Sequence, residues 1–466
     1  MRIGCSEILT ILTFTASTLG FLNPARSAPS SGLEKLKKRL PAKVVPVENP
    51  CLPGGGAEPT CKRALDRTLS KLKSIEAGGD GRVRVLHLGD SHIASDYISS
   101  EIRRELQARY GDAGRGFIQI DQPAGYGGRR KKRTDRDWTL DRIVDTNRAG
   151  RPFGFSGISI ESRRKGAVAT YALTPEDEVV RVYYQAQPGG AVVKLSARGK
   201  LLGEIDTAAP TPESRVAEFS LSDDSGASGA SGADASAAKV GTNEKSLKRP
   251  KSAKAAKTAK RRRKGSGRAG AILEIVASGP KARLYGLSFE RRGSGVLWDA
   301  IGPVGADAKV YLELDRTSFV EHLKAHRPDL VVLMVGGNDA LKIRKSWTDL
   351  DRVRHDHEAL IDVLKATLPD AECLVWSPMD AGDREGKKVV SKAKLGDVRA
   401  LQREVALAKG CGFWDFYASM GGENAIAAWA SAGVMNRDLV HPKAKAADLL
   451  GALFVEGFEH IAPAKN

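Results

Sequence analysis

The chain has 466 residues, of which 41% are hydrophobic and 28% charged, so most of it can fold around a buried core. Its formal net charge of +18 suggests nucleic-acid binding, but residues 245–268 hold twelve Lys or Arg and no acidic residue. The remaining chain carries only +6, which excludes a uniformly basic surface and indicates a mildly basic protein with one very basic loop.

The N-terminus has the pattern of an export signal. Arg2 precedes an apolar stretch, residues 8–22, that is too short for a comfortable membrane span. Residues 25–27, Ala-Arg-Ser, form a small-x-small cleavage pattern. We therefore expect residues 1–27 to be a signal peptide and the mature protein to be periplasmic or secreted. An uncleaved signal that anchors the protein to a membrane is the alternative.

Residues 28–60 are rich in Pro, Gly and Lys and are predicted to form a tail or linker. Cys51 and Cys61 flank a Gly/Pro-rich loop, and in an exported chain this favours a disulfide over two unpaired thiols. Cys373 and Cys411 adjoin apolar runs typical of strands, so we predict that they are ordinary core residues.

The first folded elements predict the opening of a parallel α/β unit. Residues 61–76 have helical spacing, and residues 83–88 are an apolar run that predicts a strand. Residues 89–91, Gly-Asp-Ser, follow as a sharp turn. Apolar residues then recur every fourth position from Ile98 and end at Gly111, which predicts a capped helix.

The same alternation returns in the last third of the chain and predicts a parallel sheet with helices on both faces. The α/β domain is therefore divided between residues 61–150 and 293–466. The predicted strands are residues 295–300, 330–335, 373–376 and 413–416, and the predicted helices are 319–326, 360–368, 398–408 and one that begins near Pro442.

Residues 151–292 have a different texture, with short β-branched or alternating runs and no helical pattern between them. This predicts an inserted β-sandwich. The runs are residues 179–185, 192–197, 215–221, 272–277 and 283–290.

Within the insert, residues 222–268 are rich in Ser, Gly and Ala and then in Lys, Arg and Ala, so they cannot bury a core. We predict a disordered loop, either simply solvated or a tether to an anionic envelope polymer or lipid surface. The loop contains no aromatic residue for base stacking, so no specific nucleic-acid partner is expected.

The chemistry-bearing residues fit the attack of a serine on an ester. Ser91 follows the first strand, and Asp438 and His441 are three residues apart, so the carboxylate can reach Nδ1 while Nε2 faces the serine. Asn338 and Gly305 lie beyond other strands and can donate N–H groups to an oxyanion, together with the backbone N–H of Ser91. We predict Ser91, Asp438 and His441 as catalytic, and no cofactor.

These motifs resemble those of the SGNH/GDSL hydrolase family. Residues 89–91 resemble its first block, residues 336–339 its G-x-N-D block, and residues 438–441 its D-x-x-H block. Gly305 matches the second block less closely, because Val304 stands where an asparagine often accompanies the glycine. The GDSH form of the first block is similar to the branch that contains peptidoglycan O-acetylesterases, which carry a β-rich insert. The resemblance implies a flavodoxin-like three-layer α/β hydrolase with an inserted β-sandwich.

Three neighbouring residues have less defined roles. His92, directly after the nucleophile, is predicted either to line the pocket or to cap the helix. Asp96 and Asp339 are predicted to support loops through hydrogen bonds.

A metallophosphoesterase is the remote alternative. Residues 90–92 read D-x-H, and residues 337–339 are similar to the G-N motif of that family, whose ligand types suit a dimetal site. The middle G-D-x-x-D and late G-H-x-H motifs are missing. Residues 355–357, His-Asp-His, lie in a charged helical stretch and are predicted to be solvated, so no metal ligands are expected.

The sequence thus predicts an exported monomeric serine esterase that removes O-acetyl groups from an envelope or extracellular polysaccharide. An O-acetyltransferase on the same scaffold is one alternative, because the acyl-enzyme can pass its acyl group to an alcohol. A carbohydrate-binding or scaffolding protein with a silent hydrolase domain is another. The expected partner is an acetylated polysaccharide or a small ester.

Overall fold

The structure is a computed structural model, and it describes residues 31–56, 58, 60–120, 132–145, 152–221 and 271–461. The predicted signal peptide and the basic loop at 222–268 lie outside the described residues. Within the described part of the chain, no helix is both long and apolar enough to cross a membrane.

The elements are numbered here along the chain. The strands are β1 (Arg82–Gly89), β2 (Gly116–Gln119), β3 (Lys132–Thr134), β4 (Trp138–Arg142), β5 (Ile158–Ser162), β6 (Val168–Ala172), β7 (Val179–Ala186), β8 (Val192–Ala197), β9 (Lys200–Asp206), β10 (Glu213–Ser220), β11 (Ile272–Ala277), β12 (Arg283–Glu290), β13 (Gly295–Ile301), β14 (Leu330–Met334), β15 (Glu372–Trp376), β16 (Gly382–Glu385), β17 (Lys388–Ser391) and β18 (Gly412–Trp414). The helices are α1 (Ser31–Lys37), α2 (Asp66–Glu76), α3 (Ser91–Ala94), α4 (Tyr97–Tyr110), α5 (Ala308–Leu312), α6 (Arg316–His326), α7 (Gly337–Arg344), α8 (Leu350–Thr367), α9 (Leu395–Ala408), α10 (Phe416–Ser419), α11 (Ala425–Ser431) and α12 (Ala444–Glu459).

The central sheet is parallel, with the strand order β13-β1-β14-β15-β18. Counted along the chain within this sheet, the order is 2-1-3-4-5, which is the flavodoxin-like arrangement. These strands are almost entirely buried, because helices cover both faces of the sheet. The predicted fold class is confirmed.

The alternation of side chains along β1 produces the three layers. Val83 and Val85 enter a core shared with α2, α4 and α12. Leu86 and Leu88 point to the opposite face, in a core shared with α6, α8 and α9. Successive side chains of an extended strand point to opposite faces of the sheet, so β1 contributes residues to the cores on both sides.

The insert is a β-sandwich of two antiparallel sheets. One has the order β10-β7-β12-β5-β4, with β2 also paired to β12, and the other has the order β3-β6-β11-β8-β9. Side chains from both sheets, such as Val182 and Ile275, share one apolar core. The opposite face of the first sheet sends Phe117, Tyr183 and Tyr285 into the core that contains Leu86 and Leu88.

The β-sandwich begins earlier than the sequence predicts. We expected the first part of the hydrolase to reach residue 150, but β2 pairs with β12, β3 with β6, and β4 with β5. The change of architecture therefore falls near residue 116. These strands are short and partly polar, so they carry no apolar run that would mark them in the sequence.

The prediction of a tail at residues 28–60 is wrong for its described part. Leu33 and Leu36 of α1 are buried in the core of the α/β domain, as is Val47. Glu48 forms an antiparallel bridge with Phe413 of β18. This segment therefore packs against the central sheet at its outer edge.

Both cysteine pairs form disulfides. The predicted Cys51–Cys61 bridge is present. Cys373 and Cys411 are buried in the core as predicted, but they are also bridged, which the sequence did not predict. β15 and β18 are neighbours in the central sheet, and this pairing brings together two cysteines separated by 38 residues.

The predicted strand at residues 413–416 ends at Trp414. Asp415 caps α10 instead, because its carboxylate accepts a hydrogen bond from the Ala418 N–H at 2.9 Å.

Candidate active site

Ser91 lies at the carboxyl end of β1, where α3 begins. A Cβ on Gly89 would lie 2.3 Å from Cγ1 of Ile93, so the turn requires glycine. The Asp90 side chain caps α3 by accepting a hydrogen bond from the His92 N–H at 2.9 Å. The chain thus presents Ser91 at a sharp strand-to-helix turn.

The two other predicted catalytic residues reach Ser91 from the loop before α12. The Ser91 Oγ lies 2.8 Å from His441 Nε2, and His441 Nδ1 lies 2.7 Å from Asp438 Oδ2. The Asp438 Oδ1 accepts hydrogen bonds from the N–H groups of Val440 at 2.9 Å and His441 at 3.0 Å. Leu439 has φ +56°, so the loop turns tightly and the carboxylate holds it closed.

The electrostatics of this pair favour an ionised carboxylate. Partial burial raises the pKa of Asp438, but hydrogen bonds from the ring and backbone of His441 and from the Val440 N–H outweigh it, so the pKa lies below its usual range. An ionised Asp438 keeps the proton of neutral His441 on Nδ1 and leaves Nε2 free to accept the serine proton. The side chains of His441 and Asp438 are 26% and 49% exposed, so the dyad lies at an open surface.

The loops that carry the two predicted oxyanion donors meet each other. Gly336 has φ +124°, and a Cβ there would lie 2.9 Å from the side chain of Gln402, so the turn into α7 needs glycine. The Asn338 Nδ2 donates to the carbonyl of Ala306 at 2.8 Å. Its other amide hydrogen is directed at Asp90 Oδ2 over a long 3.5 Å, so this is the weakly held hydrogen for which an oxyanion would compete. Gly305, with φ +86° and exposed, directly precedes Ala306.

His92 does not line an open pocket. Its side chain is buried, and both ring nitrogens face protein atoms: Nδ1 lies 2.8 Å from Asp90 Oδ1 and Nε2 lies 3.2 Å from the Val440 carbonyl. The ring stacks on His441 with centroids 5.0 Å apart. Burial lowers the pKa of His92, but the Asp90 carboxylate outweighs it and the net pKa is raised. The same pairing depresses the pKa of Asp90 against the effect of burial.

The two aspartates predicted to support loops are both buried. Asp96 accepts a hydrogen bond from Arg103 at 3.0 Å, and this fits the predicted role. Asp339, beside Asn338, has its Oδ2 3.6 Å from His357 Nε2.

The prediction that residues 355–357 are solvated is wrong for two of the three. His355 is exposed, but Asp356 and His357 are buried. His357 lies on the buried stripe of α8, between Val353 and Leu360 in helical spacing.

Within the described residues, the grouping of His, Cys, Asp or Glu close enough to share a metal ion is Cys51, Glu58 and Cys61. The two cysteines of this group form a disulfide, so their thiolates are not available as ligands. Asp90 and His92 are not part of such a group.

One family model and several solved structures match this chain in part. Residues 304–449 match the model of the GDSL-like lipase/acylhydrolase family. A solved structure of a peptidoglycan O-acetylesterase is 20% identical, with a TM-score of 0.64 over 84% of this chain and 94% of that one. The protein YXIM of Bacillus subtilis is 12% identical, with a TM-score of 0.31 over 73% of this chain and 97% of that one. The acetyl xylan esterase AlAXEase is 19% identical, with a TM-score of 0.27 over 34% and 79%. A comparison with curated proteins finds no match.

These findings define the class. Residues 304–449 form a GDSL-like acylhydrolase region, and this agrees with the sequence motifs and supports a carboxylic ester hydrolase. The matched region includes Gly305, Asn338, Asp438 and His441. Ser91 lies before it, but β1 carries Ser91 into the middle of the same sheet.

Sequence reasoning missed two backbone contacts at this site. A Cβ on Gly302 would lie 2.1 Å from the carbonyl oxygen of Asp90. The backbone directly after β13 therefore packs closely against the turn that carries Ser91. The second contact joins His92 to the Val440 carbonyl. A backbone carbonyl occurs in every residue, so no residue type in the sequence marks this contact. A Gly-Pro pair after a predicted strand was visible at residues 302–303, but the close approach itself depends on the register of β13 beside β1.

Proposed function

We propose that this protein is an exported serine esterase that removes O-acetyl groups from an envelope or extracellular polysaccharide through an acyl-enzyme on Ser91. The observation that carries the proposal is the continuous chain of hydrogen-bond distances from Ser91 through His441 to Asp438, 2.8 Å and 2.7 Å long. A silent hydrolase domain would have no reason to keep this geometry.

In the first half-reaction, His441 Nε2 takes the hydroxyl proton of Ser91 while Oγ bonds to the acetyl carbonyl carbon. The resulting oxyanion receives hydrogen bonds from the backbone N–H of Ser91 and the side-chain amide of Asn338, with Gly305 as the third donor. The ester C–O bond then breaks, and His441 gives its proton to the departing sugar oxygen.

In the second half-reaction, His441 removes a proton from water, and the water oxygen bonds to the acetyl carbon. The bond to Ser91 Oγ breaks, the serine regains its proton, and acetate leaves. If a sugar hydroxyl replaces water in this step, the same residues perform an acetyl transfer. Acetyltransfer therefore remains the second candidate for the same site.

Three observations support the polysaccharide as substrate. The fold is similar to that of a peptidoglycan O-acetylesterase. The open position of His441 and Asp438 suits an acetyl group presented by a bulky polymer. The β-sandwich joined to the hydrolase offers additional surface for such a polymer.

Export is supported by the two disulfides, because such bridges persist in oxidising compartments. The basic stretch at residues 222–268 is proposed to tether the protein to an anionic envelope polymer. Because this contact would depend on charge, its affinity should fall as the salt concentration rises.

The test measures acetate release from O-acetylated peptidoglycan, xylan and other acetylated glycans, beside nitrophenyl esters of increasing chain length. Activity should peak at acetate and fall by butyrate, because each methylene needs apolar surface worth roughly 0.8 kcal/mol. Ser91→Ala should abolish turnover and keep the melting temperature. Ser100→Ala is the matched control, because the Ser100 hydroxyl donates a hydrogen bond to the Tyr97 carbonyl within its own helix and lies outside the proposed catalytic group.

Two outcomes would contradict the proposal. A preference for octanoate with no acetate released from any glycan would indicate a lipase or thioesterase. Activity that survives Ser91→Ala but is lost with a chelator would indicate the metal enzyme. Added sugar acceptor, measured for acetylated product against free acetate, separates transfer from hydrolysis.

A further inference from the structure

The ring of His92 faces hydrogen-bond acceptors on both sides. The Val440 carbonyl oxygen, 3.2 Å from Nε2, can only accept. Asp90 Oδ1, 2.8 Å from Nδ1, already accepts from the His92 N–H, and Asp90 Oδ2 faces the Asn338 amide nitrogen at 3.5 Å. The backbone N–H of His92 and the Asn338 amide are both donors to the Asp90 carboxylate, which fits its ionised form.

A neutral imidazole has one N–H and one lone pair, so it satisfies only one of these two acceptors. In either neutral tautomer, a ring lone pair would point at an oxygen lone pair inside a buried site. The doubly protonated ring donates to both oxygens, and the adjacent Asp90 carboxylate compensates its charge.

The charged groups around His92 are consistent with this form. His92 and Asp90 are 6% and 3% exposed, so water screens the pair weakly. Asp438 adds a second negative charge nearby, and His441 stacks against the ring. Tyr311, whose hydroxyl donates to the Gly89 carbonyl, lies on the other side of the Asp90 turn.

The contact of His92 with Val440 joins two segments that are far apart in sequence. Val440 lies between Asp438 and His441, in a loop with a left-handed residue at Leu439. His92 follows Ser91 directly. A bond from His92 to this loop therefore fixes the distance between the nucleophile and its base.

We propose that His92 is a positioning residue held as an imidazolium, and that it ties the loop of Asp438 and His441 to the turn of Ser91. The kinetic part of this inference rests on the proposed function, whereas the protonation state of the ring does not. Loss of the Nε2 proton at alkaline pH removes the donor to Val440 and loosens the alignment of the catalytic pair.

The kinetic test compares two variants over a pH series with nitrophenyl acetate. In the wild type, kcat should fall at alkaline pH as His92 loses its proton. In His92→Gln the side-chain amide can donate to Val440 without titrating, so activity near neutral pH should stay within about tenfold and the alkaline fall should disappear. In His92→Leu, kcat should fall by about 10- to 100-fold at every pH with KM nearly unchanged.

An alkaline fall that persists in His92→Gln, or a wild-type profile in His92→Leu, overturns the proposal. A merely structural histidine would lower the yield or melting temperature of these variants without removing the alkaline fall.

The direct test is ¹⁵N NMR of the histidine rings in the full chain, with His92 assigned by its absence in His92→Gln. Both ring nitrogens should be protonated at neutral pH, and one proton should be lost at alkaline pH. A singly protonated ring at neutral pH refutes the imidazolium whether or not the protein cleaves esters. Conversely, if no ester is hydrolysed, the proposed function fails, but the spectrum still decides the charge of His92.

Discussion

Replacing Gly302 by alanine should displace the nucleophile turn. The new Cβ would lie 2.1 Å from the Asp90 carbonyl oxygen and 2.6 Å from the Ala94 nitrogen, so the first contact must lengthen by roughly 1 Å to reach a normal separation. The Asp90 carbonyl accepts the hydrogen bonds from Ile93 and Ala94 that form the first turn of α3. Both atoms that the methyl group meets are thus backbone atoms of the turn that carries Ser91.

A displacement of this size at a reacting group costs on the order of 100-fold in rate. Gly302→Ala should therefore lower kcat for nitrophenyl acetate by about 100-fold, equivalent to about 2.7 kcal/mol of activation free energy. Crowding in a packed site should also lower the free energy of unfolding by about 1–3 kcal/mol. The assay is steady-state kinetics beside a thermal melt.

Gly396→Ala is the matched control, because a Cβ there meets nothing within 4 Å. It should leave kcat and the melting temperature unchanged or slightly raise the latter, since alanine is favoured over glycine in a helix. If Gly302→Ala behaves like Gly396→Ala, the end of β13 does not position Ser91 and the reasoning is refuted.

Three other predictions address single features. Asn338→Ala should lower kcat about 100-fold with little change in KM; an effect confined to KM would mean that the amide binds the ground state instead. Replacing Cys373 and Cys411 by alanine should lower the free energy of unfolding by about 4 kcal/mol, from the 38-residue separation that the bridge closes, and an unchanged urea midpoint would argue against the bridge. Asp299→Asn should destabilise the fold by about 3–5 kcal/mol, because it leaves the buried charge of Arg84 without this partner. The folded-state pKa of Asp299 is depressed, since Arg84 and His326 outweigh the effect of burial, so its stabilisation is present above its unfolded pKa and is lost as pH falls. Thermal melts across the acid range should show a flatter pH dependence in Asp299→Asn, and parallel curves would contradict the assignment.

The parallel sheet could be predicted from the sequence because each strand has helices on both faces. Strands buried in this way become apolar runs, such as β1 and β14, and the helices between them keep a period near 3.6. The short strands β2, β3 and β4 could not be predicted from the sequence, because their own composition does not mark them as strands. They become strands by pairing with β12, β6 and β5, respectively.

The N-terminal segment did contain a usable signal. Leu33, Leu36 and Leu40 have helical spacing and are all buried. The surrounding Pro, Gly and Lys are typical of a linker. The prediction followed this composition, although the spacing of the three leucines indicates a helix. The Cys373–Cys411 bridge had no such signal, since it depends on β15 and β18 becoming neighbours.

At the site, the side chains with distinctive chemistry were predictable and the backbone groups were not. The three-residue spacing of Asp438 and His441 implied contact at Nδ1, and the structure has this contact at 2.7 Å. The contacts of Gly302 with the nucleophile turn and of His92 with Val440 involve backbone oxygen atoms, which every residue possesses. Only the three-dimensional arrangement shows which of them matter.

The β-sandwich is built into the hydrolase and is not a separable module. Asp299, in β13 beside β1, contacts Arg84 on β1, His326 on α6 and the Phe117 N–H on β2 of the sandwich. Arg84 also pairs with Glu290 on β12 of the sandwich at 2.7 Å. Buried charges of this kind are costly when one partner is removed, so deleting the insert would take Glu290 away from Arg84 and would expose the apolar face of the central sheet that contains Leu86 and Leu88. A polymer held by the sandwich would therefore be held by a surface rigidly connected to the strand that presents Ser91.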